Sequence, residues 1–135
     1  MMKTIILLPL LFILIATGCY VETDVYIPAN PVTGNYEVDE WSESLRIQTY
    51  YEIYVYRDRY DPNIIFIRNF YDVGIEVLAE VIGSRIRIPL QVVGHYEVYG
   101  SGSYFAGELT IDYSVRDIYN PSGFTDFCNA FCLRY

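Results

Sequence analysis

The chain has 135 residues, 53% of them hydrophobic, with nine basic against seventeen acidic residues and a formal charge of −8. That length fits one domain, within roughly 100 to 200 residues, and can bury on the order of 65% of its unfolded surface without metal or crosslinks. The acidity argues against nucleic acid or an anionic membrane surface as an electrostatic partner.

Residues 1–18 hold much of the apolar excess. Lys3 is the only charge there, and Ile5 to Ala16 is an unbroken apolar run. A charged start, an apolar stretch and then small residues are the three parts of a secretory signal peptide, and the run is shorter than the about 20 residues that a transmembrane helix needs. From Cys19 onward there is no lysine, and eight arginines face seventeen acids, a charge of −9.

The segment Ile15-Ala16-Thr17-Gly18-Cys19 resembles the lipobox of bacterial lipoproteins, which are cut before a cysteine already carrying diacylglycerol. Ala16 stands where that family usually has leucine, and a plain secretory signal cut elsewhere is the alternative. The resemblance implies that Cys19 is lipidated. Three fatty chains would then hold the protein at a membrane, since each buried CH₂ contributes about 0.8 kcal/mol and two chains suffice. Tyr20, in place of the aspartate that retains lipoproteins in the inner membrane, implies the outer membrane. Glu22 and Asp24 form a short version of the acidic surface-export signal of gut Gram-negative anaerobes, so periplasm-facing and surface-exposed placements both stay open.

Pro28, Asn30, Pro31 and Gly34 are breakers, and residues 19–33 read as a lipidated tether with a short edge strand at Tyr20 to Ile27. The domain spans residues 34–135 and opens with a strand from Gly34 to Ser42. Next, Ile47, Thr49, Tyr51, Ile53 and Val55 alternate with Gln48, Tyr50, Glu52, Tyr54 and Tyr56, the signature of a half-buried strand. A turn at Asp58 to Asn63 leads to a strand from Asn63 to Asn69. Ile75, Val77, Ala79 and Val81 alternate with Glu76, Leu78 and Glu80, and Gly83-Ser84 makes a tight hairpin. Ile86 and Ile88 then oppose Arg85 and Arg87. Tyr96 and Val98 oppose Glu97 and Tyr99, with a bend or bulge expected at Gly100-Ser101-Gly102. Leu109 to Arg116 alternates most clearly, and a last strand covers Phe124 to Leu133.

These eight strands, with short links and no period of 3.6 residues, predict an all-β, antiparallel domain with one apolar face. An up-and-down barrel is expected. A two-sheet, Ig-like β-sandwich is the alternative, because it carries the same local signals.

Gly34-Asn35-Tyr36-Glu37-Val38, Ile67-Arg68-Asn69-Phe70, Ile86 to Gln91, Gly100-Ser101-Gly102 and Leu109 to Tyr113 occur in an order and spacing that resemble small lipocalin-like lipoproteins of gut Gram-negative anaerobes (Bacteroidota-type). The resemblance covers the mature domain and implies a calycin-type barrel and secretion. It carries over no catalytic residue, so function by this route is analogy.

Chemistry-bearing clusters are sparse. His95 is the single histidine, too few for a histidine-rich zinc site or a Ser-His-Asp triad, and alternation places it on a wet strand face beside Val93 and Glu97. Glu37, Asp39, Glu40 and Glu43 crowd around Trp41 without the spacing of a calcium loop. Asp58, Asp61 and Asn63 suit a turn, and Gly100 to Ser103 lacks the Gly-Lys-Ser/Thr of a phosphate cradle. No metal or cofactor is expected and no enzyme activity. The enzyme class would revive only if several acids, or Cys128, met in a concave pocket with shifted pKa values.

Cys128 and Cys132 are the remaining thiols in an oxidising compartment. As an extended strand they lie about 13 Å apart, whereas a disulfide needs less than about 7 Å. Either the segment coils and bridges, or Cys128, Ala130 and Cys132 form a small inward face.

Tyrosine supplies 15 residues. Tyr50, Tyr54 and Tyr56 share one wet face, either as ordinary strand formers or as a sugar- or protein-binding patch. The expectation is a non-enzymatic envelope lipoprotein that acts as an interaction protein, with a glycan-binding module using the barrel interior or the Tyr-rich wall as one alternative. A small apolar ligand inside the barrel is another, and the inward Ile, Val, Leu and Tyr favour a filled interior.

Overall fold

The computed structural model describes residues 32–135, and the expected alternation becomes eight strands. They are β1 (Gly34–Ser42), β2 (Ile47–Arg57), β3 (Ile64–Phe70), β4 (Ile75–Ile82), β5 (Arg85–Val93), β6 (Tyr96–Phe105), β7 (Glu108–Asp117) and β8 (Thr125–Arg134). Each pairs antiparallel with its neighbour in sequence, and β1 also pairs with β8, from Tyr36 opposite Arg134 to Ser42 opposite Cys128. A sandwich would leave strand edges open; here the sheet closes on itself as an up-and-down barrel, a form compatible with a lipocalin-like fold.

Closure divides every strand into an inside and an outside. Tyr36, Ile65, Ile67, Ile86, Ile88, Leu109 and Ile111 project inward and are almost wholly buried, so an eight-stranded interior is occupied by the chain's own side chains. The outside carries Glu37, Glu52, Arg68, Arg87 and Asp112, a wall suited to water. On a lipid-facing wall an arginine at the midplane would cost about 2–4 kcal/mol. Among the described residues no helix is long and apolar enough to cross a membrane.

The glycines of β6 differ from expectation. The ladder between β6 and β7 is continuous through Gly100-Ser101-Gly102, and the register shift lies instead between β5 and β6, from Ile88 to Gln91, where Pro89 interrupts the pairing. Gly100 and Gly102 serve a close approach of strands. A Cβ on Gly100 would sit 2.6 Å from the Cβ of Tyr113, and one on Gly102 would run into the carbonyl oxygen of Thr110.

The barrel has two unlike ends. The chain enters beside the β2–β3, β4–β5 and β6–β7 links, where the Tyr36 hydroxyl donates to the carbonyl of Val32 at 2.7 Å. The opposite end carries the β1–β2, β3–β4, β5–β6 and β7–β8 links.

Replacing Gly102 by Ala should lower stability by about 1–3 kcal/mol, the usual cost of overfilling a packed site, read as the shift of the urea midpoint at constant slope. An unchanged midpoint would remove the close-approach explanation.

Candidate functional site

Two arrangements could carry function, the polar end of the barrel and its outer wall. Strand β1 points Tyr36, Val38, Glu40 and Ser42 inward, and β8 points Asp126, Cys128, Ala130 and Cys132 inward. Two carboxylates therefore enter an otherwise apolar barrel at the end opposite the incoming chain. Glu40 is 5% exposed and Asp126 2%, and a buried carboxylate is tolerated only when hydrogen bonds replace its water. Oε2 of Glu40 accepts from the hydroxyls of Tyr51, at 2.5 Å, and Tyr113. Oδ1 of Asp126 accepts from Ser42 at 2.5 Å and Oδ2 from Tyr71 at 2.7 Å. The Ser42 oxygen in turn accepts the Leu45 N–H at 2.9 Å, fixing the β1–β2 turn over the mouth. Among the described residues no buried side-chain nitrogen or oxygen lacks a partner.

Tyr71 reaches Asp126 because the β3–β4 turn is unusual. Asn69, Tyr71 and Asp72 all adopt positive φ, at 59°, 59° and 55°, a costly choice for a bulky residue. The Asn69 side chain holds the turn, donating to the Glu52 carbonyl at 2.8 Å and accepting the Gly74 N–H at 3.1 Å.

Burial raises the Glu40 carboxyl above the usual carboxylate range, the hydroxyls of Tyr113 and Tyr51 pull it partly back, and Asp126 and Asp72 add to the rise. Burial likewise pushes the phenols of Tyr51, Tyr71 and Tyr113 far up. It raises the Cys128 thiol, with Glu40 and Asp126 contributing, and lifts Cys132 to about 12. The acids do meet at a cleft of about 240 Å³ lined by Glu40, Ser42, Tyr71, Asp72 and Asp126, which Cys128 does not line. Every one of these shifts holds a proton on, however. A phenol or thiol so placed is a poor nucleophile, and both carboxylates are occupied as acceptors.

The outer wall presents the aromatic residues. Tyr50, Tyr54 and Tyr56 lie outward on β2 as expected, but they separate into two groups. Tyr56 stacks on Phe66 at 5.4 Å, lies under the Arg68 guanidinium at 4.7 Å and hydrogen bonds Glu76, so it belongs to the β2–β3–β4 side. Tyr54 stacks on Tyr56 at 5.9 Å. Tyr50 faces Asp39 of β1, which faces Phe131 of β8. Trp41 and Phe127 stand on the same β8–β1 wall and are well exposed, as is Tyr50. Beyond β8 a groove of about 430 Å³ crosses β6, β7 and β8, rimmed by Tyr99 and Phe127 and floored by Ser101, Asp112 and Asn129.

Other sequence expectations resolve as follows. Cys19 and the Tyr20–Ile27 strand lie outside the described residues. Cys128 and Cys132 are free, buried thiols on a regular strand; the bridged alternative is not adopted, because an extended β8 keeps them apart. His95 is a correction: it sits in the β5–β6 turn rather than on a strand face, bonds Asp117 through Nδ1 at 2.9 Å and stacks on Tyr119. The acids around Trp41 are divided by alternation, Glu37 and Asp39 outward and Glu40 inward. Among the described residues no three His, Cys, Asp or Glu side chains are arranged to hold a metal ion. The Glu40 and Asp126 clusters escaped sequence reasoning, although both acids fall in phase with the apolar positions of their strands.

No protein-family model and no curated protein matches the chain.

The raised Glu40 sets a pH dependence. A carboxyl whose folded pKa exceeds its unfolded value adds stability fully present below the unfolded value, near 4.3, and lost as pH rises through the folded value. Glu40→Gln should therefore gain thermal stability relative to the parent as pH is raised from about 4 to about 8, measured as the difference in Tm. Parallel curves would contradict it.

Proposed function

We propose that the protein is a non-enzymatic lipoprotein of the cell envelope, held at the outer membrane by lipid on Cys19, whose barrel acts as a recognition head. The observation that carries the recognition role is the contrast between the two sides of the sheet: interior positions are filled by the chain's own side chains, while large aromatic residues are left in water on the β8–β1–β2 wall. Tyrosine and tryptophan offer wide contact area at small entropic cost, and they are enriched where proteins bind partners.

The lipobox-like segment ending at Cys19 supports the anchor. The stretch from Cys19 to Val32 can reach at most about 45 Å, so an anchor there keeps the barrel close to the membrane surface. The likeness to lipocalin-like lipoproteins of gut Gram-negative anaerobes supports the same assignment by analogy. A second, small-ligand alternative rests on the cleft of about 240 Å³ at the mouth; it is small beside the roughly 300–1,000 Å³ of usual ligand sites.

One experiment addresses both parts. Cells fed an alkyne fatty acid should label the protein, and Cys19→Ser should abolish the label and release the protein from the membrane fraction. In the same cells a photo-crosslinker at position 50 should capture an envelope component that a crosslinker at Val92, on β5, does not. Labelling that survives Cys19→Ser would refute the anchor, and identical capture from both positions would refute the wall.

A further inference from the structure

The groove across β6–β8 has a composition that selects its occupant. Tyr99 and Phe127 both flank Ser114, one on each side. Each ring is well exposed, at 59% and 58%. Two strand spacings separate them by about 10 Å, which leaves a slot over the small serine wide enough for a planar group between two ring faces. Beneath the slot the next row is Ser101, Asp112 and Asn129. Asp112 accepts from the Asn129 amide at 2.6 Å. Glu43 reaches the same groove, because its N–H donates to the Phe127 carbonyl at 2.8 Å and ties the β1–β2 turn to β8.

Charge is sorted around the barrel. Away from the groove Arg68 pairs with Glu76 and Arg87 with Glu80, and one outward row beyond Ser114 the charge of Arg116 on β7 is answered by Glu97 on β6. On the near wall Glu37, Asp39, Glu43, Glu52 and Asp112 form no ion pair among the described residues. Asp39 takes an amide donor, Gln48 at 2.6 Å, and Glu52 a tyrosine hydroxyl, that of Tyr135. The acidic face ends where Arg87 stands opposite Ser101. An aromatic slot over unpaired carboxylates is the arrangement that attracts a cation, by the ring quadrupole and by charge-assisted hydrogen bonds.

We propose that this face docks a basic polypeptide, one arginine or lysine of which enters the slot between Tyr99 and Phe127 over Asp112 and Glu43. The proposal deepens the recognition role above and rests on it. A polypeptide is favoured over a free small cation because the unpaired acids continue from β7 across β8 and β1 to β2, about 15 Å around the wall, farther than one small cation spans. Extended chain with cations on alternate residues matches that distance. A neutral glycan would use the rings but would leave the carboxylates without a counter-charge.

Trp41 is the single tryptophan and stands on this wall, opposite Asn129, so its fluorescence reports occupancy. The purified lipidated protein in detergent is titrated with a short peptide alternating arginine and threonine, with its neutral citrulline analogue and with free arginine. The arginine peptide should bind and perturb Trp41, weaken as salt is raised from about 0.05 M to about 0.5 M, and bind much more tightly than the citrulline peptide or free arginine. Asp112→Asn with Glu43→Gln should weaken it. Tyr99→Thr with Phe127→Thr should weaken it roughly fivefold to tenfold without changing charge, and Val92→Thr should leave it unchanged. All these side chains are exposed, and circular dichroism checks that the variants fold. Absence of binding, equal binding of the citrulline peptide, or affinity unaffected by removing the two rings would each overturn the proposal, as would free arginine binding as tightly as the peptide. Failure here together with specific capture from position 50 would discard the basic partner and leave the recognition wall standing.

Discussion

Pairing of β1 with β8 is the constraint on which the rest depends. It closes the sheet so that none of the described strands is an edge strand, and it fixes which residues share the interior. Once the ladder runs from Tyr36 opposite Arg134 to Ser42 opposite Cys128, Glu40 and Asp126 are turned into the barrel and left almost wholly buried. Their burial then requires the phenols of Tyr51, Tyr71 and Tyr113 as donors, and it requires the strained β3–β4 turn that delivers Tyr71. The same closure places Phe127, Phe131, Trp41 and Tyr50 outside on adjacent strands. Interior and wall are two consequences of one register.

Much of this was legible in the residues because alternation is a local signal. Strand β1 was bounded correctly and β2, β3, β4, β7 and β8 fell within a residue or two, since a period of two with glycine or Asn/Asp turns leaves little freedom, whereas β5 and β6 run on past Ile88 and Gly100, where the alternation was read as ending. The barrel was expected from eight short-linked strands and is what forms, but alternation alone did not exclude a sandwich, because strand order depends on contacts distant in sequence and β1 meets β8 only after the whole chain has turned. The bulge was placed at the glycines of β6, but proline is the stronger breaker of a ladder and displaced it to Pro89 on β5, while the glycines answered to the close approach of β7.

The candidate site was legible only in part. Tyr50, Tyr54 and Tyr56 were assigned to the correct face, yet their division into two neighbourhoods depends on β1 and β3 flanking β2. Tyr56 is drawn to Phe66 and Arg68, and Tyr50 to Asp39. The Tyr99–Phe127 slot joins β6 to β8 across β7 and has no signature in any single segment. His95 was misplaced for a local reason: Gly94 at positive φ turns the chain there, which puts the ring against Asp117. The acids inside the barrel were visible as charged residues in phase with apolar ones, a pattern that signals either a buried network or a register error and that only tertiary pairing resolves.

A barrel filled by its own side chains, with recognition on its outer wall, makes one demand on the protein as it occurs in the cell. Its crystal structure after purification from its own envelope, without refolding, should show interior density accounted for by side chains such as Tyr36, Ile65, Ile88 and Leu109, with the Glu40 and Asp126 networks closed above them. A small molecule inside the barrel, with these side chains displaced, would contradict the account and make the interior the site.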